Sequence, residues 1–474
     1  MSSTSLAAVV LAAGKGTRMM SPLAKVLHSA CGRPLATYPV RAALLAAASP
    51  VAVVVGHQAD AVEKALRAEL PGQPLQFALQ AEQLGTAHAV LSAKSVLAAA
   101  GFASSGRVLI LYGDVPLVRV ETLRRLADAQ AAAGTPLAFL TMRPPAPRGY
   151  GRILRDAAGN PIRIVEEKDA SEAERAVGEC NAGIYVCDAA FLWEALAATR
   201  PQNAQREFYL TDLVAVAAAL AKGLAASPPV ALEAPFDEVA GVNDRAELAA
   251  CAAELRRRKL LALMRAGVTV LDPERTWIDD SVAVEPEAVL YPGCALHGKT
   301  RIGAGAEVGH GAVLIDSTID AGARILAYSH LDQAEVGPRC QVGPFARFRP
   351  GAVLREEARV GNFVELKKTV LGKGSKANHL SYLGDSTIGA GVNVGAGTIT
   401  CNYDGEKKYP TIIEDGAFIG SDTQLVAPVT VGKGAYVGTG TTVREDVPGG
   451  ALAVSAGKQR NILGWVDKRK KRNG

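Results

Sequence analysis

The chain has 474 residues, 49% of them hydrophobic and 21% charged, with a formal net charge of +5; that length exceeds what one hydrophobic core usually serves, so two or three domains are expected. Five positive charges, Lys468, Arg469, Lys470, Lys471 and Arg472, sit together near the end of the chain, leaving the remainder near neutral and arguing against a nucleic-acid-binding face. Seven scattered cysteines with no C-x-x-C pair argue against a zinc site and a disulfide framework and predict reduced thiols in a cytoplasmic protein, and no run of about 18 apolar residues is present to span a membrane.

The first predicted element is a buried strand from Leu6 to Ala13, followed by Gly14-Lys15-Gly16-Thr17-Arg18-Met19. It is read as a strand rather than a signal peptide, because no basic residue precedes it. Two glycines expose backbone N–H groups that can curl round phosphate oxygens, with Lys15, Arg18 and then Lys25 supplying positive charge. The loop is neither a Walker A motif nor a full dinucleotide fingerprint, so the residues alone leave open an ordinary Gly-rich connection. Further apolar strands follow at Val51 to Val55 and Arg107 to Tyr112, separated by Ala/Leu-rich helical stretches. This alternation predicts an α/β domain before residue 245, with ligands at the carboxyl ends of parallel strands. There the third strand ends in Tyr112-Gly113-Asp114-Val115-Pro116. Asp114 is either a turn former or a ligand for Mg²⁺, which needs few protein oxygens.

Asp244 to Ala266 is rich in Ala, Leu, Glu and Arg and free of Gly and Pro, which predicts one long helix. From Ile278 to Val443 aliphatic residues then recur every six positions, as at Ile278, Val284, Leu290, Leu296, Ile302, Val308 and Leu314. A period of six fits neither a helix nor a strand alone and marks a parallel β-helix, three hexads per triangular coil and roughly nine coils in all. Gly after the aliphatic residue (Gly303, Gly343, Gly361, Gly438) is expected to supply backbone angles that side chains forbid. The beat slips between Leu366 and Leu383 and again at the polar insertion Cys401 to Lys408, and function is expected at those slips. The lone His379 there is a structural histidine or a general base near neutral pH.

The motifs L-A-A-G-x-G-T-R-M, Lys25, Gln80-Ala81-Glu82-Gln83-Leu84-Gly85-Thr86, Tyr112 to Pro116, Gly149-Tyr150-Gly151-Arg152-Ile153 and Gly241-Val242-Asn243 occur in this order ahead of the hexads. In this the chain resembles the bifunctional N-acetylglucosamine-1-phosphate uridylyltransferase / glucosamine-1-phosphate acetyltransferases over nearly its whole length. The resemblance implies a Rossmann-like nucleotidyltransferase domain over 1–245, a helical linker over 246–266 and a left-handed parallel β-helix acetyltransferase domain over 267–474. It also implies two reactions, uridylyl transfer from UTP and acetyl transfer from acetyl-CoA, feeding peptidoglycan and lipopolysaccharide precursors. In the first domain it implies that Leu11, Ala12, Ala13, Gly14, Lys25, Gln80, Gly85, Thr86, Tyr112 and Gly113 line the nucleotide. Asp114 and Asn243 would hold Mg²⁺, Gly151, Glu166 and Asn181 the sugar, and Arg18 and Lys25 would offset developing charge.

For the β-helix the resemblance implies His379 as general base with Glu365 as the partner that orients it. Arg349, Lys367, Tyr382 and Asn393 would bind the sugar phosphate, and Ala396, Asn402, Tyr403, Ser421, Thr439 and Ala456 the acetyl-CoA. Three positions depart from the family pattern: Ala24 for proline, Ala182 for Thr or Ser, and Ala456 for an arginine that Lys458 or Arg460 would replace. A homotrimer built through the β-helix is implied as well. A rival reading keeps only the nucleotidyl transfer and uses the β-helix to assemble subunits; His379, Glu365, Arg349 and Lys367 are what separate the two.

Overall fold

The computed structural model describes residues 5–470 except 103, 202, 225, 456, 458 and 460. The chain divides into two compact units, Met1–Leu255 and Arg256–Gly474, and the division falls inside one continuous helix, Arg245–Arg265. Asp244 caps that helix by accepting the N–H groups of Ala246 and Glu247, as an N-cap aspartate does. Gly267, at φ +93°, lies just past its end, where a glycine tolerates the left-handed turn.

The first unit is built on a sheet whose main path runs Val230–Glu233, Leu137–Met142, Cys180–Asp188, Arg107–Tyr112, Leu6–Ala12, Val51–Val55, Leu75–Leu79. Along Leu6–Ala12, Ala8, Val10 and Ala12 join one buried cluster while Ala7, Val9 and Leu11 join another. Both faces are therefore covered, which is why this strand reads as an unbroken apolar run. Leu6–Ala12 pairs with Val51–Val55 on one edge and Arg107–Tyr112 on the other. The chain order reverses at that strand, and the crevice at its carboxyl end is where such sheets bind ligands. On this main path one strand departs from the parallel expectation: Cys180–Asp188 runs antiparallel to both of its neighbours there. Its apolar run shows that it is buried, but nothing in its composition records its direction.

The second unit is a parallel β-helix. On one face eleven strands stack, nine of them inside the periodic stretch and two, Thr269–Val270 and Leu452–Ala453, outside it. The hexad aliphatics form a single buried cluster running the length of the coil. Two residues before most of the aliphatics stands a small residue, and Ala288, Cys294, Thr300, Ala306 and Ala312 are all fully buried. The interior of a narrow coil has no room for two large side chains per hexad, so Cys294 and Cys340 are packing residues. Burial pushes their thiols up to about 12 and about 11, the opposite of what a nucleophile needs.

The hexad glycines serve two ends, and Gly343 takes the expected left-handed angle, at φ +92°. Gly303 and Gly361 do not have positive φ; instead a Cβ at Gly303 would lie 2.7 Å from the backbone nitrogen of Ala321, and one at Gly361 would overlap the carbonyl of Asn378. They let the next coil approach. The first expected slip is also milder than the sequence suggested: Leu366 pairs with Leu383 and Val360 with Ala377, so the coil continues with one residue fewer. The second is a true insertion. Val394 pairs with Ile419, 25 residues on, whereas Ala377 and Val394 are 17 apart, and the excess matches Cys401 to Lys408. Asp404 caps this loop through the N–H groups of Glu406 and Lys407.

Candidate active sites

In the first unit the chain leaves Leu6–Ala12 through Gly14 and turns at Gly16, whose φ is +66°. A Cβ at Gly16 would overlap Lys25, so this glycine lets the lysine fold against the loop. Gly85, at φ +115°, precedes the helix Thr86–Ser92, and Thr86 Oγ1 accepts the N–H of Leu210 at 3.0 Å. Two adjoining depressions result. The first, of about 340 Å³, is lined by Leu11, Ala12, Ala13, Gly14, Lys25, Gln80, Gln83, Gly85, Thr86, Tyr112 and Asp114. The second, of about 570 Å³, is lined among others by Arg18, Tyr112, Asp114, Tyr150, Gly151, Glu166, Asn181, Asn243 and Glu247. They meet at Tyr112 and Asp114. Gly113 does not line either; its N–H donates to the carbonyl of Leu11 at 2.8 Å, and a Cβ there would lie 3.0 Å from that oxygen.

Charge converges at that meeting point. Lys25 Nζ contacts Asp114 Oδ2 and lies 3.4 Å from Asn243 Oδ1, while Arg18 Nη2 donates to the same Asn243 oxygen at 2.8 Å. A single cationic atom thus touches both candidate metal ligands. One carboxylate and one amide oxygen facing a common point suit Mg²⁺, which completes its shell with water and phosphate oxygens. Among the described residues no three His, Cys, Asp or Glu side chains gather as a metal site.

Gln80 is buried and donates to the carbonyl of Gly85 at 3.1 Å, and Gln83 donates to the carbonyl of Ala13 at 2.8 Å. Gln83 is a lining residue not singled out from the sequence, although it stands within the Gln80 to Thr86 motif. Glu166 has its carboxyl raised above the usual range, chiefly by burial and further by Asp169, Asp212 and Glu207, with the Thr211 hydroxyl opposing.

In the second unit the functional candidates form ladders. Asn362 pairs with His379 one coil on, and the positions two past the paired aliphatics Ala377, Val394, Ile419 and Val437 are His379, Ala396, Ser421 and Thr439. One corner of the coil therefore carries the histidine and all three of these acetyl-CoA candidates in a line. His379 Nδ1 lies 3.0 Å from Asn362 Oδ1. A carbonyl oxygen only accepts, so this bond calls for the proton on Nδ1, the tautomer of the neutral ring whose Nε2 has the free lone pair. His379 thus contacts Asn362, whereas Glu365 accepts from Arg349 at 3.1 Å.

Around Asp385 a second group assembles. Lys367 Nζ donates to Asp385 at 3.2 Å, and Asn402 Nδ2 contacts the same carboxylate. Tyr382 and Asn402 both press on Gly384, where a Cβ would sit 2.8 Å from Asn402 Nδ2. Lys408, from the insertion, meets Lys367, and that neighbour's positive charge holds its ammonium below the usual lysine range. Lys367 is paired with Asp385 and Lys408 adds a second basic side chain beside it, so the corner is biased towards an anion. Lys408 was not singled out from the sequence; its basic character inside a polar insertion was the available signal. Asn393 lies on the neighbouring face, paired with Lys376 and Phe418, and Tyr403 is exposed on the insertion. Ala456, Lys458 and Arg460 lie outside the described residues.

Three families match successive stretches of the chain. Residues 8–266 match the MobA-like NTP transferase domain, residues 278–371 the GMPPB C-terminal domain, and residues 410–445 the bacterial transferase hexapeptide of six repeats, whose coils build a left-handed parallel β-helix. The bifunctional protein GlmU of Anaeromyxobacter sp. (strain Fw109-5) is 58% identical over 99% of this chain and 94% of its own length. Those of Pelobacter propionicus and Sorangium cellulosum are each 50% identical, over 98% and 99% of this chain and 99% and 98% of theirs. A nucleotidyltransferase crevice and a hexapeptide ladder on one chain, matched end to end at this identity, mean that the chain belongs to the GlmU family of bifunctional enzymes.

Proposed function

We propose that the chain makes UDP-N-acetylglucosamine in two steps on two units. The observation that carries this reading is that one chain holds both the Asp114–Lys25–Asn243 convergence and the Asn362–His379 pair. In the β-helix, His379 Nε2 takes a proton from the 2-amino group of glucosamine 1-phosphate as its nitrogen attacks the acetyl-CoA thioester carbon. The C–S bond breaks and coenzyme A leaves as the thiol. Arg349, Lys367, Lys408, Tyr382 and Asn393 hold the sugar phosphate, and Ala396, Asn402, Tyr403, Ser421, Thr439 and Ala456 the acetyl donor. An N–H at Ala396 steadies the oxyanion.

In the first unit, a phosphate oxygen of N-acetylglucosamine 1-phosphate attacks the α-phosphorus of UTP, and the bond to pyrophosphate breaks. Gln80, Gly85 and Thr86 orient the nucleoside, since an amide offers both donor and acceptor to a uracil edge. Gly151, Glu166 and Asn181 hold the sugar, and Arg18 and Lys25 offset the charge on the phosphates. Mg²⁺, held by Asp114 and Asn243, would supply electrostatic stabilisation of the transferring phosphate. The co-substrates place the chemistry in the cytoplasm, and among the described residues no helix is long and apolar enough to cross a membrane.

A homotrimer through the β-helix is part of this reading. Tyr328, Phe345, Phe363 and Leu380 occupy equivalent left-handed corner positions, φ 48° to 58°, are all exposed, and the three aromatic rings stack at 5.3 and 5.6 Å. Leu380 adjoins His379, so a second copy packed on this ladder would also border the acetyl site. Phe363→Asp is expected to lower the mass of the assembly in light scattering and acetyl transfer with it. The function itself is tested by supplying glucosamine 1-phosphate, acetyl-CoA, UTP and Mg²⁺ together and omitting each in turn. UDP-N-acetylglucosamine is expected only in the full mixture, and its formation without acetyl-CoA would exclude the two-step order.

A further inference from the structure

The first turn of the helix Arg245–Arg265 reaches back to both loops of the nucleotide site. Glu247 Oε2 accepts the backbone N–H of Asn243 at 2.6 Å, and Arg245 Nε donates to the carbonyl of Met19, beside Arg18, at 3.2 Å. In an ordinary capping box the glutamate at the third helical position accepts the N–H of the N-cap residue. Here the N-cap is Asp244 and the carboxylate goes one residue further back, to Asn243. The side-chain amide of Asn243 is held as well, donating to the carbonyl of Gly241 at 3.3 Å. The two ends of an amide point apart, so these two bonds together aim Oδ1 at the point shared by Lys25 and Asp114.

We propose that Glu247 and Arg245 are positioning residues for uridylyl transfer: Glu247 fixes where Asn243 presents its oxygen to the divalent cation, and Arg245 fixes the loop that carries Arg18. The inference rests on the reading of Asp114 and Asn243 as the metal-holding pair. Glu247→Ala is expected to weaken Mn²⁺ binding to the full chain with UTP, followed by electron paramagnetic resonance, about tenfold, as losses of outer supporting bonds do. The Mg²⁺ needed for half-maximal uridylyl transfer rises in step. Glu247→Gln, whose amide oxygen still accepts the bond, recovers most of both. Arg245→Ala keeps the Mn²⁺ affinity and raises KM for UTP instead. Acetyl transfer stays at the parent rate in all three and reports that the chain has folded.

A Glu247→Ala variant that melts earlier but binds Mn²⁺ within twofold of the parent would reduce the residue to a helix cap and overturn the proposal. Asp114→Ala separates the two failures. If it loses Mn²⁺ while Glu247→Ala does not, the positioning inference alone falls; if Asp114→Ala keeps Mn²⁺, the metal reading falls and takes the inference with it.

Discussion

The two units gather their chemistry in opposite ways. In the first, Gly14, Lys25, Gln80, Asp114, Glu166 and Asn243 come from distant segments and meet only because several strands deliver them to one crevice. In the second, His379, Ala396, Ser421 and Thr439 recur at one position of successive coils, so a line in space is a period in sequence. A mixed sheet makes a site by convergence, and a solenoid makes one by repetition with a local interruption. The consequence is that single substitutions should act on one reaction and spare the other.

The largest effects are expected from a crossed pair. Asp114→Ala should lower uridylyl transfer about 10³-fold, the scale of losing a preorganised charge-stabilising group, with acetyl transfer unchanged. His379→Ala should lower acetyl transfer by about 10²- to 10⁴-fold, the range for general acid–base catalysis, while N-acetylglucosamine 1-phosphate is still uridylylated. Loss of both activities in either variant would break the comparison. A smaller effect is expected at Asn362. Asn362→Ala should reduce kcat for acetyl transfer by up to about 10²-fold through misplacement of the imidazole, leaving KM for acetyl-CoA alone. If Glu365→Gln costs more kcat than Asn362→Ala, the orienting role belongs to Glu365 instead.

Lys408→Ala should raise KM for glucosamine 1-phosphate roughly tenfold, in line with one charge-assisted hydrogen bond of about 1.5 kcal/mol, with little change in kcat. The smallest effect concerns stability. Burial raises the Glu166 carboxyl, so the favourable contribution of its neutral form is complete below the unfolded value and is lost as pH rises through the folded one. Glu166→Gln is therefore expected to melt later than the parent near pH 8, with the gap closing as pH falls well below about 4, where a carboxyl is neutral in both states. A gap independent of pH would point to packing rather than ionisation.

Much of this was legible in residue order. The hexads declared the β-helix because each coil repeats the same inward position, and the Gly14 loop and Asp114 marked strand ends because apolar runs stop there. The hexad glycines carry two roles that the sequence does not tell apart, since a close approach by the next coil, as at Gly303, leaves the same mark as a left-handed turn, as at Gly343. The resemblance points to Glu365 as the partner of His379, and only the coil register puts Asn362 directly beneath that histidine. Lys408 lies outside the periodic pattern, and its contact with Lys367 follows from how the insertion folds back.

By itself the sequence determined the local periods, the apolar runs and the residue types available to bind phosphate, because side-chain chemistry and spacing along the chain are properties of adjacent positions. Only the tertiary structure decided that Cys180–Asp188 runs antiparallel, that one lysine faces both Asp114 and Asn243, and that Glu247 reaches past its own cap to Asn243. Those relations depend on strand direction and on where the helix start comes to rest, which no interval along the chain encodes.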